Sequence, residues 1–92
     1  MLTEFEVRRK IRDIAASGES ASRQVRMLLR LGRALKQQVR TLTQARHRVL
    51  GGSDRNARAQ FERLLVQSRS LREEVRSEAD ELMKPRSRAG LY

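Results

Sequence analysis

The side chains able to do chemistry in this chain are few, and most of them are arginines. His47 is the only histidine, and histidine is the residue type whose charge changes near neutral pH. It stands between Arg46 and Arg48, with no nucleophile or carboxylate beside it in sequence. The serines at 17, 20, 22, 53, 68, 70, 77 and 87 read as helix caps and helix surface, since none has a base placed to activate it. Glu73-Glu74 and Asp80-Glu81 are acids near the end of a helical stretch, where the helix dipole disfavours them. They read as solvated acids or as a surface that salt-bridges a partner. Gly51-Gly52 has neither the preceding strand nor the following Lys of a phosphate-binding loop. A chain with no Cys and one His has no ligand set for a zinc site. The expectation is a protein with no catalytic residues, no cofactor and no metal.

What remains is the chemistry of the guanidinium group. Arg carries a permanent charge on a planar fork that suits phosphates and carboxylates. The chain has 21 Lys plus Arg against 11 Asp plus Glu, a formal net charge of +10 over 92 residues. Such a balance attracts polyanions and opposes self-association by repulsion. The charge is also unevenly placed. No acidic residue occurs between Glu19 and Asp54, a window holding Arg23, Arg26, Arg30, Arg33, Lys36, Arg40, Arg46 and Arg48. With Leu28 at heptad position a, Arg23 and Arg30 fall at c, and Arg26, Arg33 and Arg40 fall at f. That is one stripe opposite the apolar seam. Arg55 and Arg58 add to it near the next turn. A basic face of this length suits a phosphate backbone, where cationic contacts release counterions. With two Phe, one Tyr and no Trp, the chain lacks the aromatic platform of single-strand binders. No helix-turn-helix, zinc-finger or RNA-recognition signature points to sequence-specific readout.

The elements that must position these side chains are helices. Leu, Arg, Gln, Ala and Glu dominate and are strong helix formers. The periodicity predicts three, at about 3–16, 20–50 and 53–83, making a single helical domain over 1–84. Thr3 and Glu6 have capping-box spacing at the first start, and Ser17-Gly18 is a stop. The first helix has a rough apolar stripe of Phe5, Ile11, Ile14 and Ala15, with Val7 and Leu2 at its edges. Ser20 or Ser22 caps the second, and Gly51-Gly52 ends it. Ser53 or Asp54 caps the third. Pro85 closes it by disfavouring helix at Lys84, which leaves 85–92 as a flexible basic tail.

Leu28, Leu31, Leu35, Leu42, Ala45 and Val49 recur at alternating three- and four-residue steps, with Gln38 as the polar exception. This is a coiled-coil-like seam. Phe61, Leu64, Leu71, Val75 and Leu82 form the matching one, interrupted by Ser68 and Glu78. A short turn between long helices implies an antiparallel hairpin. Pairing outward from the turn sets Phe61 against Leu42, Ser68 against Leu35, Leu71 against Leu31 and Val75 against Leu28. The fold class expected is therefore all-α: a long antiparallel helical hairpin with a short N-terminal helix. The apolar surface is wider than two helices need, with Leu29, Val39, Leu65 and Val66 flanking the seam or further round. The first helix, about 20 Å long, is too short to cover a hairpin of about 45 Å. Assembly into a bundle, with a homodimer favoured, is the expected cover.

Leu50-Gly51-Gly52 followed by Phe61 resembles the hairpin turn of the small secreted Trp-x-Gly proteins. The resemblance spans about a dozen residues and implies a dimeric, exported helical hairpin. The chain departs from that pattern, since Leu50 stands where the family has Trp. No Tyr-x-x-x-acidic export signal follows the third helix, and the net charge is strongly positive. The size, charge and short-long-long helix order also look like small helical rRNA-binding ribosomal proteins, without the His- and Asp-rich loop some of those carry.

Two functions compete. One is a non-enzymatic nucleic-acid-associated protein that contacts phosphates, largely independently of sequence, through Arg23, Arg26, Arg30, Arg33, Lys36, Arg40, Arg46, Arg48, Arg55 and Arg58. The other is a protein-interaction module, a secretion, chaperone, phage-assembly or regulatory adaptor. It would bind a partner helix through Leu29, Val39, Leu65 and Val66, and its Arg stripe would meet an acidic protein. No apolar run reaches membrane-span length and no signal-peptide core is present, so membrane binding is not expected and the expected location is cytoplasmic.

Overall fold

The computed structural model describes residues 1–49 and 55–84. Its helices are α1 (Glu4–Ala15), α2 (Ala21–Val49) and α3 (Arg55–Met83). Each lies within two residues of the expected span. The Gly51-Gly52 turn, the Ser53 and Asp54 cap, Pro85 and the tail lie outside the described residues.

Local chemistry explains where the helices start and stop. The Thr3 hydroxyl accepts the Glu6 N–H at 3.2 Å and also donates to the Glu6 carboxylate at 3.2 Å. One hydroxyl thereby ties both parts of Glu6 to the helix start. After α1, Ser17 Oγ donates to the Ile14 carbonyl at 2.6 Å, and Gly18 takes a left-handed φ of +72° that a side chain would strain. Of the two candidate caps for α2, Ser20 is used: its Oγ accepts the Arg23 N–H at 3.3 Å. Ser22 lies inside the helix.

α2 and α3 pack along each other as a helical hairpin, and α1 lies against both. The molecule is a rod of 61 × 25 × 16 Å. Its main apolar cluster joins Leu28, Leu31 and Leu35 of α2 to Leu71, Val75 and Ala79 of α3 and to Val7 and Ile14 of α1. Leu2, Ile11 and Leu82 pack at its margin. The cluster joins residues of both predicted seams, but the direct contacts Ser68–Gln38 and Val75–Gly32 lie three to four residues along α2 from the expected partners Leu35 and Leu28.

Two details of the expected stripes change. On α1 the stripe centres on Val7, Ile11 and Ile14, at helical i, i+4, i+7 spacing, while Phe5 is 70% exposed. On α3 the buried positions are Leu65, Ser68, Leu71, Val75 and Ala79, whereas Phe61, Leu64 and Leu82 are half-buried and Glu78 is exposed. The wide stripe of α3 serves two neighbours. Ser68 and Val75 face α2, as the Gln38 hydrogen bond and the Gly32 contact show. Glu78 instead shares a surface cleft with Arg8, Ile11 and Arg12 of α1.

The polar exception in the α2 seam is where the segment leading into α1 meets both long helices. Gln38 Oε1 accepts the Leu2 N–H at 2.8 Å, and its Nε2 donates to the Leu2 carbonyl at 3.1 Å and to Ser68 Oγ at 3.0 Å. Ser68 is buried, so this bond satisfies a group that would be costly to leave unpaired. Gln67 Nε2 donates to Glu4 Oε2 at 3.1 Å, and Arg8 bridges Glu4 at 2.7 Å and Glu74 at 3.2 Å. These two carboxylates raise the Arg8 pKa above its ordinary value, chiefly through the Glu74 hydrogen bond.

Candidate nucleic-acid interface

The basic stripe is a property of α2 alone, and its angular position follows from helical geometry. At about 3.6 residues per turn, Arg23, Arg26, Arg30, Arg33, Lys36, Arg40 and Arg48 fall within about 140° of the helix circumference. The buried Leu28, Leu31, Leu35 and Leu42 occupy the opposite side. All seven cations are exposed. Arg23 is paired with Glu19 at 3.1 Å. Among the described residues, Arg26, Arg30, Arg33, Lys36, Arg40 and Arg48 form no ion pair. The six span about 33 Å along the axis at about 1.5 Å per residue.

Arg46 leaves the stripe. It lies at the hairpin edge, half-buried, with Nη1 2.7 Å from Glu62 Oε1. Its Nε is buried with no hydrogen-bond partner among the described residues. This side chain is committed to α3. Arg48 stands in the last turn of α2 beside His47, where cations also complement the helix dipole. Arg55 and Arg58 are exposed at the start of α3, the dipole's unfavourable end for a cation.

Two arginines missing from the sequence reading belong beside this surface. Arg72 and Arg76 of α3 line a groove with Arg33 and Lys36 of α2. The signal was present in the hairpin register, which flanks Val75 with Arg72 and Arg76 one helical turn apart and brings that turn level with Leu28.

The expected partner residues are not brought together. Leu29 is 50% exposed and lines the groove with Arg33 and Lys36. Val66 is 64% exposed but lies in a different cleft, beside Glu4 and Arg8 of α1. Val39 is half-buried. Leu65 is 0% exposed and so is withdrawn from any docking surface. It lies one residue beyond the predicted seam position Leu64, and α3 is rotated so that Leu65 turns inward.

His47 is exposed. No group of three His, Cys, Asp or Glu among the described residues could hold a metal ion. No described helix is long and apolar enough to cross a membrane. No family model, curated protein or solved structure matches the chain.

Proposed function

We propose that this protein is a non-enzymatic, nucleic-acid-associated helical protein that contacts phosphates through α2, largely independently of base sequence. One observation carries the reading: six exposed cations, Arg26 to Arg48, share one side of α2 without an ion-pair partner among the described residues. Helix stability does not favour that pattern, because like charges four residues apart, as in Arg26/Arg30 and Lys36/Arg40, destabilise a helix whereas opposite charges stabilise it. Phosphates supply the missing anions, and each contact releases condensed counterions. Arg72 and Arg76 extend the basic surface onto α3. Phe5 is the exposed aromatic among the described residues, and one ring makes no stacking platform. The reading therefore favours duplex DNA or structured RNA over single strands. Arg23 and Arg46, already paired with carboxylates, contribute less than the sequence alone suggests.

The test is a salt-titrated anisotropy curve for duplex DNA, single-stranded DNA and hairpin RNA, with heparin as the polyanion control. Six phosphate contacts predict a log–log salt slope of about −5 on a duplex, and Arg26→Glu with Arg40→Glu should flatten it by about 2. The same pair should weaken binding by about a hundredfold with an unchanged helical CD spectrum. Equal affinity for heparin and every nucleic acid, untouched by that reversal, would sink the reading.

A further inference from the structure

α1 covers one side of the hairpin, and the other side carries a groove to which α1 contributes no residue. Leu28, Val75 and Ala79 form its buried floor. Leu29 and Met83 stand at its edges, 50% and 56% exposed. Gly32 lies between them on the floor and is the informative residue. Glycine weakens a helix interior relative to alanine. Neither backbone nor packing requires it here. Its φ is not left-handed, and a methyl group at this position would meet Val75 Cγ1 at 3.7 Å, an ordinary contact. The residue instead leaves an open notch in an apolar floor.

The rims decide what fits the notch. Arg33 and Lys36 form the α2 rim, in the stretch of chain without acids. Arg72 and Arg76 form the α3 rim, interspersed with Glu73 and Asp80. We propose that this groove docks an acidic amphipathic helix of a partner protein. Its apolar side chains enter over Gly32 and between Leu29 and Met83, the helix-in-groove mode of recognition. Its carboxylates pair chiefly with the acid-free α2 rim, which fixes which way round it lies. A second copy of this chain is the poorer occupant, because each copy brings a charge of +10. A nucleic acid is poorer still on an apolar floor with no aromatic to stack on.

The proposal stands apart from the phosphate reading and shares only Arg33, Lys36, Arg72 and Arg76 with it. The probe is a synthetic three-heptad helical peptide with Leu at a and d and Glu at e and g, compared with its Lys counterpart. The Glu peptide should bind saturably and at least about tenfold tighter than the Lys peptide. Gly32→Leu fills the notch and should weaken it by about tenfold or more, whereas Gly32→Ala should raise the melting temperature and cost at most a few-fold. Leu29→Glu, at a half-exposed position, gives the same readout if Gly32→Leu fails to fold. Equal binding of both peptides, or no effect of either variant, overturns the proposal. So does a dimer of the free protein that Gly32→Leu dissolves, which would make a second copy the occupant. Loss of duplex binding in Gly32→Leu equal to the loss of peptide binding would assign the groove to phosphates. Arg26→Glu with Arg40→Glu leaves the groove rims intact, so the two readings fail separately.

Discussion

α2 and α3 are each 29 residues long, lie side by side, and bury comparable apolar stripes. Their outer faces differ. α2 carries no acid anywhere along its length, while α3 sets Glu62, Glu73, Glu74, Glu78, Asp80 and Glu81 among its arginines. α3 is what this hairpin needs from a solvated face: mixed signs, some satisfied locally, as in Arg46–Glu62 and Lys84–Glu81. α2 shows that the same architecture tolerates a face on which, among the described residues, six of seven cations have no ion-pair partner. The phosphate contacts proposed for α2 would account for the difference. Even the ends of α3 run against its dipole, with Arg55 and Arg58 first and Glu78 to Glu81 last.

The largest effects should test whether the buried stripes really are equivalent. Leu35 on α2 and Leu65 on α3 are both fully buried, so each change to Ala should cost about 3 kcal/mol in urea unfolding. Leu29→Ala should stay within about 0.5 kcal/mol. A Leu65 variant as mild as the Leu29 one would return that residue to the surface and break the comparison on the α3 side.

Next comes the asymmetry of the outer faces. Arg63→Glu with Arg69→Glu on α3 should leave duplex affinity within about threefold, against about a hundredfold for the α2 pair. Equal losses would mean that net charge, and not the α2 face, carries binding.

A smaller effect tests the joint where α1 locks both helices. Gln38→Ala removes three hydrogen bonds, two to the Leu2 main chain and one to buried Ser68. It should cost about 2 kcal/mol and speed amide hydrogen exchange in α1 relative to α2. Uniform acceleration across all three helices would show that Gln38 supports the hairpin and not the α1 dock.

The smallest effect concerns the ion pair that removes Arg46 from the stripe. Glu62→Gln should destabilise by less than about 1 kcal/mol, since the carboxylate is half exposed. It should slightly strengthen duplex binding by releasing the guanidinium. Weakened binding would place Glu62 in a supporting role for the interface.

Much of the architecture was readable in the sequence. The capping pair Thr3 and Glu6, the Ser17-Gly18 stop and the leucine steps from Leu28 to Leu42 are short-range signals. They depend on backbone hydrogen bonding and on helical period, both of which act within a few residues. The acid-free window was equally plain, and the structure leaves most of its cations exposed. Positions at the borders of the stripes were not readable. Phe5 looked like core and is exposed, while Val7 looked marginal and is fully buried. Leu65 and Ala79, not Leu64 and Glu78, are the buried members of α3.

The helix spans, the hairpin of the two long helices and the acid-free run of cations on α2 were therefore determined by the sequence itself. Helical periodicity sets the angle of every residue about its own axis. It does not say which angle meets which neighbour. Only the tertiary structure decided that, by packing α2 against α3 and docking α1 against both. The packing of α2 against α3 tied Arg46 to Glu62 and set Arg72 and Arg76 across a groove from Arg33 and Lys36, residues nearly forty positions away in the chain.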